Sequence, residues 1–197
     1  MAERDGPKPV VAVIQMTSTP DKEATFAQLS ALVTRAKSLG AAMTFVPECA
    51  DYVAESRDRA LVHAEPLDGA TVARYRDLAR TLKMWLSVGG YHEKPATAEQ
   101  ETQRIYNTHL VIDADGTIKG VYRKIHMFDV DIPDSVPSYE SSYTVPGSCI
   151  GPPVDTVCGK VRLRSWFVTV LCVNICFWVP GNSSGKLQQF RRICSAE

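Results

Sequence analysis

The chain has 197 residues, the size of a single domain that can bury a substantial core. Its 22 lysines and arginines balance 22 aspartates and glutamates, so the formal net charge is zero. This balance argues against nucleic acid or an acidic membrane surface as the main partner. Six cysteines without paired spacing favour a reduced compartment over a disulfide scaffold. Since Cys172 and Cys176 lack the further ligands of a zinc pattern, we expect no metal.

The first eight residues are polar and charged. This composition is typical neither of a secretory signal nor of an Arg/Ser-rich transit peptide. We therefore expect a cytoplasmic protein.

The chain then predicts a strand, a helix and a second strand. Residues 10–16 are a short β-branched run, and Thr19-Pro20-Asp21 opens a helix that Gly40 ends. The apolar face of this helix carries Phe26, Leu29, Val33 and Ala36. Residues 42–46 form the second strand, after which Glu48 emerges at the C-terminal edge, where ligands gather in open α/β sheets.

Residues 51–66 give no clear signal. Asp68-Gly69 precedes a helix, residues 85–90 read as a third strand and residues 95–103 as a polar loop. Residues 104–112 and 117–122 predict a hairpin around a turn at 113–116. The inward positions of the second helix are Val72, Tyr75, Leu78 and Leu82. The order β-α-β-α-β-β-β predicts a layered α/β fold without fixing its topology.

The last third of the chain changes character twice. Residues 133–159 are rich in Pro, Ser and Gly and predict loop. Residues 166–179 are nearly unbroken apolar, but these fourteen positions fall short of the roughly 20 that span a bilayer. We favour a buried strand pair or an aggregation-prone segment over a membrane anchor.

Two charged residues follow apolar runs and suggest chemistry. Glu48 ends the second strand, and Lys124 follows the fifth. Amide hydrolysis through a thioester needs a base, an oxyanion-stabilising group and a thiolate, and these residues suit the first two tasks. Composition alone favours the alternative of an ordinary surface glutamate and lysine.

Five motifs in order resemble the carbon–nitrogen hydrolase (nitrilase) superfamily over residues 10–161. They are Ala12-Val13-Ile14-Gln15-Met16, Phe45-Val46-Pro47-Glu48, Trp85-Leu86-Ser87-Val88-Gly89-Gly90-Tyr91-His92-Glu93-Lys94, Arg104-Ile105-Tyr106-Asn107-Thr108 and Tyr122-Arg123-Lys124-Ile125-His126-Met127-Phe128-Asp129. The resemblance implies a four-layer αββα sandwich that dimerises through its helical face. It also implies a small ω-amide or α-keto-amide substrate, no cofactor and no metal, and it leaves a mitochondrial form open.

The resemblance also implies roles for three residues. Glu48 would be the general base, Lys124 the oxyanion and acid residue, and Glu140 a second glutamate that supports the lysine. The alternative for Glu140 is a loop carboxylate, because it lies in a Pro/Ser-rich stretch.

The family's nucleophile is missing at its expected position. The family continues past Gly159-Lys160-Val161 into a strand carrying Cys-Tyr-Asp, whereas spacing here places Trp166 at the cysteine. An indole offers only an N–H donor and cannot attack. Cys158 and Cys172 lie roughly 26 and 20 Å away along an extended chain, and the reacting atoms must come within about 3.5 Å.

We therefore predict that residues 1–161 are the N-terminal part of a carbon–nitrogen hydrolase domain and residues 162–197 an unmatched apolar tail. As written, the chain would be a catalytically inactive, truncated form. The resemblance implies that the parent protein is an amidase, with activity on ω-amides as an alternative. This truncated form would either fail to fold stably or pair with full-length subunits and alter them. Because the second half of the sandwich would be absent, we expect apolar surface on the inner face of the sheet.

Other reactive residues carry weaker signals. We predict that His126 is a hydrogen-bonded packing residue and that Arg123 pairs with a carboxylate of the protein or a substrate. We do not expect Cys49 to be a nucleophile, since neighbours on extended backbone point to opposite faces. The sequence gives no signal at His63, His92 and His109.

Overall fold

The computed structural model describes residues 9–95, 104–131, 133, 137–163, 169–170, 175–177 and 188–189. Within these ranges the α-helices are α1 (Lys22–Ser38), α2 (Arg57–His63) and α3 (Ala70–Leu82). The strands of the first part are β1 (Val10–Val13), β2 (Ala41–Val46), β3 (Trp85–Glu93), β4 (Tyr106–Ile112) and β5 (Ile118–Arg123). Seven short strands follow: β6 (Asp129–Val130), β7 (Ser138–Tyr139), β8 (Val154–Thr156), β9 (Gly159–Arg162), β10 (Thr169–Val170), β11 (Ile175–Phe177) and β12 (Gln188–Gln189).

A seven-stranded mixed sheet organises the chain, in the order β12-β11-β1-β2-β3-β4-β5. Strands β1, β2 and β3 are parallel neighbours joined through helices, whereas β3, β4 and β5 are antiparallel neighbours. The predicted α/β class and element order are confirmed, with α2 added between the second strand and the second predicted helix.

One face of the sheet packs against α1 and α3. Helix α1 begins after Asp21, whose carboxylate accepts hydrogen bonds from the Glu23 and Ala24 N–H groups. Its predicted face is buried at Leu29 and Val33, which are fully enclosed with Tyr75 of α3 and the sheet. Because this face carries apolar side chains at helical spacing, burial rather than intrinsic propensity holds the helix in place.

The opposite, inner face of the sheet packs against a smaller sheet of β8, β9 and β10. Met43, Val111 and Val161 are fully buried between them. Strand β4 is consequently buried on both faces and shows no clean alternation. The expectation of an exposed inner face is therefore wrong at Val11, Met43, Phe45, Val111 and Tyr122, all of which are buried. The β8–β9 hairpin also replaces part of the loop predicted for residues 133–159.

The described residues after position 163 lie in strands. Strand β10 pairs with β9, and β11 lies parallel to β1 with Val11 opposite Ile175 and Val13 opposite Phe177. Strands are thus present at those positions, but β10 and β11 pair with β9 and β1 and not with each other, so the predicted strand pair is not what forms. Trp166, Cys172, residues 1–8 and most of the predicted loop at 95–103 lie outside the described residues. Within the described ranges, no helix is both long and apolar enough to cross a membrane.

Candidate active site

Glu48 lies in a turn just beyond the carboxyl end of β2. Pro47 ends the strand, and the Cys49 N–H donates to the Gly90 carbonyl of β3 over 3.1 Å, which ties the turn to the neighbouring strand. The Glu48 side chain remains 38% exposed. The sequence thus places this carboxylate at the predicted edge of the sheet, within reach of solvent.

Lys124 lies at the same edge because β5 ends at Arg123. Its backbone N–H donates to the Asn107 carbonyl and its carbonyl accepts from the Gly147 N–H, both over 2.8 Å. The residue is only 2% exposed. A buried ammonium needs paired charge, and two carboxylates supply it: Lys124 Nζ lies 2.7 Å from Glu140 Oε2 and 3.6 Å from Glu48 Oε1.

Glu140 is held in place from several directions. It begins a single 3-10 turn (Glu140–Ser142) and is 7% exposed. Its Oε2 accepts from the Phe128 N–H over 2.7 Å as well as pairing with Lys124. The structure therefore brings Glu48, Lys124 and Glu140 together. Glu140 lies in a short turn of the Pro/Ser-rich stretch, but it is buried and paired with Lys124.

Asn107, at the start of β4, links the two carboxylates. Its Nδ2 donates to Glu48 Oε1 over 2.5 Å and to Glu140 Oε1 over 3.2 Å. The sequence offered Asn107 only as part of a family motif, with no signal for this role, because the contacts cross 59 and 33 residues.

Gly90 lies directly beneath Glu48. It has φ of 60° at an irregularity in the β3–β4 ladder, and a Cβ there would meet Glu48 Cγ at 2.3 Å. Only glycine fits both the backbone conformation and the contact. The pair Gly89-Gly90 in the third predicted strand was the available signal.

Cys49 is near the charged cluster formed by Glu48, Lys124 and Glu140, but its thiol is not activated by these charges. Its φ is 57°, so the extended backbone that we assumed for this residue is wrong. Burial, then the carboxylates of Asp51 and Glu48, raise the pKa of the Cys49 thiol to about 12, against the opposing effect of Lys124. Since the thiolate is the nucleophilic form, the thiol is in the wrong state at neutral pH.

Arg123 pairs with a carboxylate of the protein, as one alternative predicted. Its guanidinium donates to both oxygens of buried Glu93, over 3.0 and 2.5 Å, and stacks on Tyr106. His126 is exposed, so the predicted packing role is wrong. The apolar neighbours of His126 in the sequence do not enclose it, because the chain has left the sheet at Arg123.

His92 and Asp51 form a second charged pair that sequence reasoning missed. Both Asp51 oxygens lie within 3.1 Å of His92 Nδ1, and the ring stacks on Tyr52 with centroids 4.4 Å apart. Burial alone would lower the pKa of His92, but the Asp51 carboxylate outweighs it and the pKa is raised. The pair secures the segment after Glu48 against β3.

Among the described residues, no group of three or more His, Cys, Asp or Glu side chains could hold a metal ion. At the same sheet edge, Lys124 lies between the two carboxylates of Glu48 and Glu140. Such an arrangement can move a proton and stabilise developing negative charge.

The comparison with known proteins identifies the class. The family model described as carbon-nitrogen hydrolase matches residues 10–176, which include part of the tail. The chain belongs to the carbon–nitrogen hydrolase family.

Relatives give a narrower picture. The chain is 46% identical to deaminated glutathione amidase of Rattus norvegicus over 155 residues, which are 79% of this chain and 47% of that protein. It is 41% identical to the nitrilase and fragile histidine triad fusion protein NitFhit of Drosophila melanogaster over 177 residues, 90% of this chain and 36% of that protein. Omega-amidase of Homo sapiens is 29% identical over 70% of this chain and 47% of its own length. The chain spans about half the length of the deaminated glutathione amidases that it matches.

Solved structures confirm the nitrilase-type α/β fold. The Caenorhabditis elegans NitFhit protein superposes with a TM-score of 0.69 at 36% identity, covering 78% of this chain and 37% of that chain. Saccharomyces cerevisiae Nit3, a member of the nitrilase superfamily, gives a TM-score of 0.61 at 25% identity, covering 76% of this chain and 52% of that chain.

Proposed function

We propose that this chain carries the acid–base half of an amidase site for a small linear amide such as deaminated glutathione. The observation that carries the proposal is the burial of Lys124 between Glu48 and Glu140 at the edge where the strand ends meet. Burying an ammonium costs several kcal/mol unless carboxylates surround it. A surface pair would not need the arrangement that this lysine has.

The three residues suit different steps. Glu48, which is the more exposed carboxylate, is placed to take the proton of an attacking thiol. Lys124 would stabilise the tetrahedral oxyanion and deliver a proton to the leaving nitrogen. Glu140 is bound by Lys124 and the Phe128 N–H, so it orients the lysine and does not compete for the thiol proton.

The thiol itself is the missing part. By spacing, Trp166 stands at the nucleophile's position, and neither Cys49 nor Cys158 fits the task, since burial raises the pKa of the Cys158 thiol to about 11. We propose that the chain is inactive alone, with residues 1–161 as its hydrolase part and 162–197 as a divergent tail. Its alternative role is a non-catalytic subunit that pairs with and alters full-length subunits in the cytoplasm.

The sequence identities to the named relatives favour one substrate class over another. Several relatives named deaminated glutathione amidase reach 43–46% identity, whereas the omega-amidase reaches 29%. We therefore place deaminated glutathione ahead of a general ω-amide as the substrate of the complete protein.

The test is ammonia release from deaminated glutathione by the purified 197-residue chain and by a chimera. The chimera joins residues 1–161 to the C-terminal half of the rat relative. We expect the chimera to release ammonia and the 197-residue chain to release none. In the chimera, Glu48→Gln should abolish turnover, whereas Glu55→Gln, at an exposed position seven residues away, should not. An inactive chimera that is folded would sink the proposed substrate class.

A second comparison tests the missing nucleophile. The family match extends to residue 176 and so includes Cys172, which lies outside the described residues. If the 197-residue chain releases ammonia and Cys172→Ser stops it, the assignment of position 166 is wrong. Trp166→Cys is expected to leave the chain inactive, because the rest of the second half would still be missing.

A further inference from the structure

Asn107 touches every member of the charged cluster. Its side-chain amide donates to Oε1 of Glu48 and to Oε1 of Glu140, and its backbone carbonyl accepts from the Lys124 N–H. One residue at the start of β4 thus forms hydrogen bonds with all three residues. The pairing of β4 with β3 and β5 fixes where it stands.

Two groups, the Asn107 amide and the Lys124 ammonium, approach the same oxygen, Glu48 Oε1. Asn107 Nδ2 lies 2.5 Å from this oxygen, whereas Lys124 Nζ lies 3.6 Å from it, beyond hydrogen-bond length. The lysine lies 2.7 Å from Glu140 instead. Since the ammonium of Lys124 is buried, its attraction for a carboxylate this close would otherwise draw the two into direct contact.

We propose that Asn107 is a positioning residue that holds Glu48 apart from Lys124, so that the carboxylate can accept a proton instead of being neutralised by the lysine. This inference rests on the proposed amidase function for its purpose but not for its geometry. A neutral donor suits the task because it binds the carboxylate without supplying a charge, and its second N–H fixes the partner carboxylate at the same time.

A double-mutant cycle in the 197-residue chain tests the geometry without activity. Urea unfolding of Glu48→Gln, Lys124→Met and the double variant gives the coupling between the two residues. We expect this coupling to be about tenfold larger, as a change in the unfolding equilibrium constant, in the Asn107→Leu background, because the carboxylate would close from 3.6 Å to contact. Asn107→Ser is the second variant should Asn107→Leu fail to fold.

Two controls separate positioning from structure. Asn107→Gln keeps an amide donor and should restore the weaker coupling. Thr108→Val removes the neighbouring hydrogen bond to Glu93, and it should lower stability without altering the Glu48–Lys124 coupling. Equal coupling with and without the amide at position 107 would overturn the proposal.

The chimera supplies the kinetic test. There Asn107→Leu should lower kcat about 100-fold at nearly unchanged KM, with partial recovery in Asn107→Gln. An unchanged kcat in an active chimera would also overturn the positioning role. A chimera without any turnover would refute the proposed function, while the unfolding cycle would still decide the role of Asn107.

Discussion

Gly90 shows how a single residue controls the position of the candidate base. Its positive φ and its contact with Glu48 are two separate demands on the same position. A side chain at a left-handed position costs about 1–2 kcal/mol from backbone strain alone. At Gly90 the added atom would also push the turn that carries Glu48 away from β3.

Gly90→Ala should therefore lower the free energy of unfolding by about 3 kcal/mol or more, as measured by urea denaturation. Gly40→Ala is the matched control, since Gly40 has φ of 86° but a Cβ there would meet nothing within 4 Å. It should cost about 1–2 kcal/mol. Equal losses in the two variants would show that the contact with Glu48 carries no weight.

His109 and His92 predict opposite responses to pH. His109 is 8% exposed, its Nε2 lies 2.7 Å from Ser87 Oγ, and burial lowers its pKa to about 4. Between about pH 6.5 and 4 the unfolded chain binds a proton there that the folded chain does not, so acid lowers stability. His92 behaves in the other sense because Asp51 raises its pKa against the effect of burial.

His109→Gln should remove an acid-induced loss of up to about 3 kcal/mol between pH 6.5 and 4. His92→Gln should change the pH dependence of stability in a higher pH range. The stability from the charged His92–Asp51 pair is present below about pH 6.5 and is lost as the pH rises through the raised folded pKa. Urea unfolding at several pH values measures both slopes. Parallel pH profiles for the parent chain and both variants would contradict the assignment.

At the scale of the elements, the N-cap of helix α1 is a single side chain, Asp21, whose contribution to stability can be measured by substitution. Asp21 Oδ1 accepts from Glu23 and Ala24 over 2.8 and 3.1 Å. Asp21→Ala should cost about 1 kcal/mol in urea unfolding because two backbone donors lose their acceptor. Asp21→Asn keeps an acceptor oxygen and should cost much less. A loss as large in Asp21→Asn would mean that charge near the helix N-terminus, not the cap, stabilises α1.

The elements also show what sequence patterns could predict. Helix α1 was predictable because its cap and its apolar spacing agree, as was the hairpin of β4 and β5 around its turn. Helix α2 was not, since only Ala60 of its seven residues is buried and its charged sequence gives no periodicity. The β8–β9 hairpin was hidden in a stretch whose composition indicated loop.

The residues of the candidate site also divide into those that the sequence could predict and those that it could not. Glu48 and Lys124 follow predictable strands, so resemblance and strand ends together located them. Asn107, Gly90 and the Asp51–His92 pair depend on which strands are neighbours, which the order of elements alone did not fix. The contacts of these residues form only because the order of strands in the sheet brings distant parts of the chain together.

At the scale of the whole molecule, β1 is an interior strand because a strand from the tail lies beside it. Strand β2 pairs with one side of β1 and β11 with the other. An unpaired parallel strand at this position would be an edge that invites association with other chains. Strand β11 therefore covers the side of β1 (Val10–Val13) that would otherwise be an edge.

This pairing can be tested with prolines at two sheet positions. Ile175→Pro removes a backbone donor from β11, which lies between β1 and β12, and should speed amide hydrogen exchange across Val10–Val13 by at least about tenfold. Gln188→Pro alters β12, the edge strand, where proline is tolerated better, and should leave β1 exchange nearly unchanged. If Ile175→Pro leaves the exchange of β1 unchanged as well, β11 does not protect the edge, and the tail contributes nothing to the sheet. If only Ile175→Pro speeds exchange, β11 stabilises the very sheet whose strand ends hold Glu48 and Lys124.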